Sequence, residues 1–374
     1  MADIVQLGYD IETGELVRGE RAVDGLTEAT LKADKAQDGL ANSAKKTGVE
    51  VGRASSAIGA VVGRLGILAA GYASVQTAMS SVTQARGFSA AMSEVSTLIE
   101  GTDAQMTALE ASARSMSATF GGSATSQVNA FYQAISAGAG DIETASKILD
   151  DANRLAIGGV TDVTTGVDVL TTAVNAYGAD VLNSTQASDA LFVGMRAGKT
   201  TIAELSSAIG NVLPIASALD VTFDEVVATT AALTTQGLTT AQSVTGLRAA
   251  LTSVTGPTNQ AQKAAKALGL DFDASALKSK GLAGFLQEVI AKTGGSAEAM
   301  RVLFGSVEAT TAVLALAGGG SAALTATLDD MATKTGASQE AFEKMAVDLD
   351  QRLNVQMGIM SNAALKVGQV LLSV

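Results

Sequence analysis

The chain has no cysteine, no histidine and no tryptophan, only two prolines in 374 residues, and aromatic side chains at 3%. Each absence removes a class of chemistry or architecture. Without cysteine there is no disulfide framework and no thiolate nucleophile. Without histidine there is no Ser-His-Asp arrangement, and without either there is no zinc site built on those ligands. A catalytic constellation would have to be made from carboxylates, Lys, Tyr or Ser, and nothing in sequence order gathers such groups. The chain is therefore read as non-enzymatic, with no catalytic, cofactor-binding or metal-binding residues. The scarcity of proline lets helices run uninterrupted. The scarcity of aromatics leaves Ala, Val, Leu and Ile to supply most of a 47% apolar composition, which suits helices that approach closely through small side chains.

Basic residues are also in deficit. The net charge is −12, from 25 Lys and Arg against 37 Asp and Glu. Nine of the basic and ten of the acidic residues lie up to Arg86, so 16 and 27 remain for the rest. An acidic main body without a basic stripe is expected not to bind nucleic acid specifically, because such affinity rests on neutralising phosphates. The first twenty residues carry five acidic side chains and no apolar run, so no signal peptide is expected and synthesis should end in the cytoplasm.

Glycine, by contrast, is abundant at 39 residues, and part of it is periodic. Gly101, Gly121, Gly140, Gly158, Gly178 and Gly198 stand 18 to 20 residues apart, each followed within a few residues by Ser, Thr or Asp and a new apolar-periodic run. This predicts short helices, each ended by a glycine in the left-handed conformation and restarted by a small capping side chain. One helix and one turn have a single stripe to bury, so such units must pack on their neighbours. The expected fold class is all-α: many short helices joined by Gly turns, a long C-terminal helix, and one short N-terminal strand.

Along the chain, Val5, Leu7, Tyr9 and Ile11 alternate with polar or small residues, the period of a half-buried strand. Residues 20–46 read as a solvated or coiled helix. Residues 57–74 are apolar except for Arg64, and Ser55, Gly59 and Gly63 share one helical face. That face, with Arg64 beside it, is the candidate oligomerisation site. A packed helix or oligomer interface is favoured over a membrane span, because Arg64 at the centre of a bilayer would cost about 2.5–3.5 kcal/mol. Thr201 with Glu204 and Thr222 with Glu225 form capping boxes that predict helix starts at 202 and 223. Pro214 is expected to kink the first of these helices. Gly256-Pro257 is expected to divide a first helical layer from a looser second one. Gly318-Gly319-Gly320 is read as a break. From Ser338 a helix of some 35 residues is expected to run to the end, with Phe342, Met345, Leu349, Leu353, Met357, Met360, Ala364, Val367 and Leu371 recurring at three or four residues. The organisation predicted is 1–20, 21–86, 87–317 and 318–374.

Two motifs have functional readings that are set aside, the second being a glycosylation acceptor that would apply only to a secreted eukaryotic chain. Gly194 to Thr200 has three residues between its glycines where a phosphate loop needs four, and lies between helices, so it is read as a C-cap followed by an N-cap. Asn183-Ser184-Thr185 is read as a helix start. The pairs Asp150-Asp151 and Asp224-Glu225 are read as solvated helix faces rather than cation ligands. Methionines at helical spacing are read as core fillers.

Ordered short motifs spread over roughly 60% of the chain, from Phe88 to Leu316, carry a resemblance. They are Phe88 with residues 92–95, then Phe131-Tyr132-Gln133-Ala134-Ile135-Ser136-Ala137-Gly138, Ala152-Asn153-Arg154-Leu155-Ala156, and Ala187-Ser188-Asp189-Ala190-Leu191. Thr201-Ile202-Ala203-Glu204-Leu205, Gly237-Leu238-Thr239-Thr240-Ala241, residues 246–251, Leu268-Gly269-Leu270 and Leu303-Phe304-Gly305 follow. In this order they resemble the tape-measure proteins of long-tailed bacteriophages and phage-like particles. The resemblance implies a structural protein in the lumen of the virion tail tube, present in the host cytoplasm during assembly. Its helical length would set tail length, and it would leave ahead of the DNA. It implies tail tube protein, tail assembly chaperones and distal tail or baseplate proteins as partners, a homo-oligomer, membrane contact after release, and no cofactor. Members are usually longer and continue in coiled helix, which agrees with the absence of a stop signal before Val374. A helical adaptor or secreted bundle-forming interaction protein would share the composition, and is the other class the sequence leaves open.

Overall fold

Small oxygen-bearing side chains start most of the helices. The computed structural model describes residues 67–99 and 101–373, with side chains from residue 77, and the described elements are helical throughout, with no strand among them. Helix α1 covers Ile67–Ser96, followed by α2 (Asp103–Phe120), α3 (Ala124–Ala134), α4 (Ile142–Gly158), α5 (Val163–Tyr177) and α6 (Ser184–Ala197). Thr102, Ser123, Asp141, Asp162 and Asn183 cap α2 to α6, each side chain accepting from the backbone N–H three residues on. Gly198 closes α6 and Thr201 opens α7 (Ile202–Ile209), as read for this glycine-rich loop. Thr201 and Glu204 satisfy each other's backbone N–H, as do Thr222 and Glu225 at the start of α9, so both helices begin where the capping boxes place them.

Pro214 behaves differently from expectation. Helix α7 stops at Ile209, and a separate α8 (Leu213–Ala218) begins after a turn, with Pro214 in its first turn. There the missing N–H is one of the donors a helix start leaves unbonded anyway, so proline begins a helix instead of kinking one. Beyond α9 (Phe223–Thr235) come α10 (Thr240–Thr255), α11 (Asn259–Ala267), α12 (Ala274–Thr293), α13 (Ala297–Phe304) and α14 (Val307–Ala315). A π turn at Leu316–Gly320, in which Gly319 has φ 132°, carries the chain into α15 (Ser321–Ala332). The three glycines thus bend a helical path and do not end it. Helices α16 (Ala337–Ala346) and α17 (Leu349–Leu372) complete the chain.

Contacts divide the chain into two units, residues 1–90 with 360–374, and residues 91–359. In the first, the middle of α1 and the C-terminal part of α17 lie against each other where Gly368 admits the Ser81 carbonyl, and Ala85, Phe88 and Leu365 are buried. The second is built around α9, in which residues 226–234 are all buried. Within this buried helix Thr230 and Thr234 return their hydroxyls to the carbonyls of Val226 and Ala231, whereas the buried Thr229 Oγ1 has no hydrogen-bond partner. Helices α6, α8, α10 and α15 surround it, and α4 forms a second centre covered by α2, α3, α5, α6 and α16.

Three expectations are corrected here. The Gly256-Pro257 turn does not separate a tight layer from a loose one. Helix α10 before it lies along α14 beyond it, and Phe272 joins Phe285 and Phe304 at ring-centroid distances of 5.8 and 5.2 Å. Those periodic glycines that end helices do so without adopting the left-handed helical basin. Gly121 and Gly178 have φ of 90° and 84° but extended ψ, which takes the chain straight toward the next cap, and Gly198 is extended outright. Gly158 lies inside α4, one residue before its cap. Among the described residues, Gly294 and Gly305 are left-handed C-caps, outside the periodic set. Finally, the expected terminal helix is two helices, interrupted at Val347 and Asp348. The predicted strand at residues 5–11, the helix at 20–46 and positions 57–66 lie outside the described residues.

Candidate functional site

Several motif residues bring buried polar atoms together with partners on other helices, although Ser188 Oγ and Arg154 Nε are buried without one. Asn153 on α4 and Gln127 on α3 exchange two amide hydrogen bonds of 3.1 Å, and both are buried. Arg154 beside it pairs with Asp150 at 2.6 Å and donates to Gln339 on α16. Asp189 on α6 is 2% exposed and accepts three bonds from the start of α16: Gly336 N at 2.8 Å, Ser338 N at 2.9 Å and Ser338 Oγ at 2.7 Å. Helix α16 has no cap of its own. Asp189 performs that task across 149 residues of sequence, placing negative charge at the positive end of the helix. Gly246 brings α10 within backbone reach of Glu308 and Ala312 on α14, and Ser253 donates to Phe304 O at 2.6 Å. Several motif segments thus serve as joints between helices.

The acidic pairs are less solvated than their spacing implied. Asp151 is buried and accepts from Ser184 Oγ at 2.6 Å and Thr185 Oγ1 at 2.9 Å, which join α4 to the start of α6. Asp224 pairs with Lys334, and Glu225 accepts from Leu282 N at 2.7 Å besides closing its capping box. Tyr177 donates to Val221 O at 2.8 Å, and burial, aided by Glu225 and Asp224, holds its hydroxyl protonated. Among the described residues no group of three or more His, Cys, Asp or Glu could hold a metal ion. Met116, Met300 and Met331 fill the core as expected, whereas Met79, Met357 and Met360 are exposed.

Burial raises the Asp151 pKa, with the Ser184 and Thr185 hydroxyls opposing it. A carboxyl held above its unfolded value lends stability that is complete below the unfolded pKa and lost as pH rises through the folded one. Asp151→Asn is therefore expected to be at least as stable as the wild type at pH 7 and to flatten the fall in stability above pH 4. Thermal melts across pH 3–7 check this, and a variant less stable at pH 7 with an unchanged pH profile would show that the charged form is the favoured one.

The surface feature that stands out is on α17. Leu349, Leu353, Met357 and Met360, which recur at helical spacing, are 66, 52, 62 and 71% exposed. The helix is instead seated through Gln351, Asn354 and Gly358, because glycine lets backbones meet more closely than a Leu or Met face can. The candidate oligomerisation residues Ser55, Gly59, Gly63 and Arg64 lie outside the described residues. The sequence reading missed Asp189, although it lies in a motif singled out there. A buried acceptor serving a helix start 149 residues away leaves no local signal.

Residues 110–305 match the family model described as Phage-related minor tail protein. A probable tape measure protein of Clostridium phage phiCD119 is 27% identical over 290 residues, covering 75% of this chain and 31% of the relative. The chain thus spans about a third of the length of the curated relative that it matches. No solved structure matches it.

Proposed function

The chain belongs to the phage-related minor tail protein family, and from that premise we propose that it acts as the ruler and scaffold of a phage-type tail. It occupies the tube lumen, tail tube protein polymerises around it with the help of assembly chaperones, and distal tail proteins receive one end. During ejection it leaves ahead of the DNA. It has no catalytic role. The observation that carries this reading is the family match over more than half of the chain, whose motif residues serve as helix caps, buried polar pairs and close packings. The outward apolar stripe of α17 supports a homo-oligomer, since an amphipathic helix with Leu and Met outward at three- and four-residue spacing is suited to helix-to-helix assembly.

The test is tail length. Removing 14 residues, two heptads, from α17 should shorten the assembled tail by about 21 Å, at 1.5 Å per helical residue. Electron microscopy of particles assembled with the deletion reads this directly. Tails of unchanged length would remove the ruler role while leaving the family assignment intact.

A further inference from the structure

Helix α17 is seated by its polar side. Gln351 Nε2 donates to Phe120 O at 2.8 Å, Gly122 N donates to Asn354 Oδ1 at 3.2 Å, and Gly358 lies against the Ser117 and Gly122 carbonyls. Leu349, Leu353 and Met357 point away from this contact and are exposed. Apolar burial is the dominant favourable term in helix packing, and in the first half of α17 it is almost unused.

The break just before α17 is equally unusual. Residues 346–349 contain neither Gly nor Pro, the usual causes of an interruption, and Ala, Glu, Lys, Met, Leu, Gln and Arg on both sides favour helix. Two carboxylates hold it. Asp189 pins the start of α16. Asp348 caps α17, its Oδ2 accepting from Asp350 N and its backbone oxygen from Arg352 N, both at 3.0 Å. A cleft of about 620 Å³ lies at the break, lined by Phe120, Val160, Met345, Asp348 and Gln351 among others.

We propose that α16 and the first half of α17 form a two-position arm. Helix α16 is the base, fixed by Asp189 and by the packing of Ala341 against Gly158 and Phe342 against Phe120. The first half of α17 is parked on the loop between α2 and α3, and in its second position it leaves that loop and continues α16 as one straight helix. At the loop between α2 and α3 the swing uncovers mainly polar side chains and glycine. It breaks the bonds to Phe120 and Gly122, exchanges the Asp348 cap on Asp350 N and the Asp348 N–H bond to Met345 O for helical ones, and closes helical bonds from Leu349, Asp350 and Gln351 N–H to the carbonyls of Met345, Ala346 and Val347. Straightening also places Met345, Leu349, Leu353 and Met357 in one row at four-residue spacing. The arm goes beyond the ruler reading and does not depend on it.

Residue-resolved amide exchange on the full chain tests the arm. Asp348→Ala removes the cap without touching Gly122 or its acceptor. It is expected to speed exchange at Gly122 by about fivefold, the size of one lost cap, while slowing exchange at Leu349 and Gln351. The opposite signs distinguish straightening from fraying. Gln351→Ala with Asn354→Ala removes the parking bonds and should likewise slow Leu349. Faster exchange at Leu349 and Gln351 in either variant, or no change at Gly122 in Asp348→Ala, would overturn the proposal.

Discussion

Asp189→Ala should destabilise the unit of residues 91–359 by about 3 kcal/mol, an effect set by donors left behind more than by the bond lost. The carboxylate accepts from two backbone N–H groups and one hydroxyl at 2.7 to 2.9 Å, in a site where Asp189 and Ser338 are each 2% exposed. Alanine leaves all three donors without their partner and without ready access to water. Ser338→Ala removes one donor together with its need for an acceptor, and should cost only about 1 kcal/mol. For a unit of this size the larger loss corresponds to a fall in melting temperature of roughly 6–12 °C. Calorimetry of the two variants decides the matter. Equal effects would mean that the packing of α16, and not the buried carboxylate, holds this joint.

The second large effect is expected at Gly246, where α10 meets α14. A Cβ there would stand 2.6 Å from Ala312 Cβ and 2.9 Å from Glu308 O, closer than real Cβ contacts occur. The helices would have to separate along their contact, and Gly246→Leu should cost about 3 kcal/mol, at the upper end for overpacking a close-packed interior. Gly246→Ala should cost less, and its clash with Ala312 can be relieved from the other side. In a double-mutant cycle with Ala312→Gly, the pair should be more stable than the sum of the single effects by about 1 kcal/mol. Strict additivity in urea unfolding would show that the close approach seen here is not what limits residue size at 246.

These two sites mark the boundary of what local chemistry reveals. Thr201 with Glu204 and Thr222 with Glu225 were legible because a capping box is closed within four residues, whatever the helix packs against. Asn183 as a helix start and Gly198 as a helix end were legible for the same reason. Pro214 was legible as a perturbation but not in kind, since kink and fresh start differ only in whether the preceding turn stays helical. Asp151 beside Asp150 looked like a solvated pair, and only the arrival of Ser184 and Thr185 from another helix makes it an interior joint. The resemblance drawn from the ordered motifs agrees with the family match over residues 110–305, while the work of their residues at helix joints became visible only once the helices were in place.

By itself the sequence determined the helical class, most helix starts and the exclusion of histidine, cysteine and zinc chemistry, because these depend on composition and on bonds spanning three or four residues. Tertiary structure alone decided which face each helix buries and which carboxylate serves which helix start. Apolar periodicity at residues 345–360 identifies a hydrophobic face without saying whether a neighbour covers it. In α17 the small residue Gly358 sets the contact, since backbone can approach backbone there, and the Leu and Met face is left outward. Asp189 and Ser338, 149 residues apart, meet only because α16 is laid across α4 and α6, a juxtaposition that no spacing rule encodes.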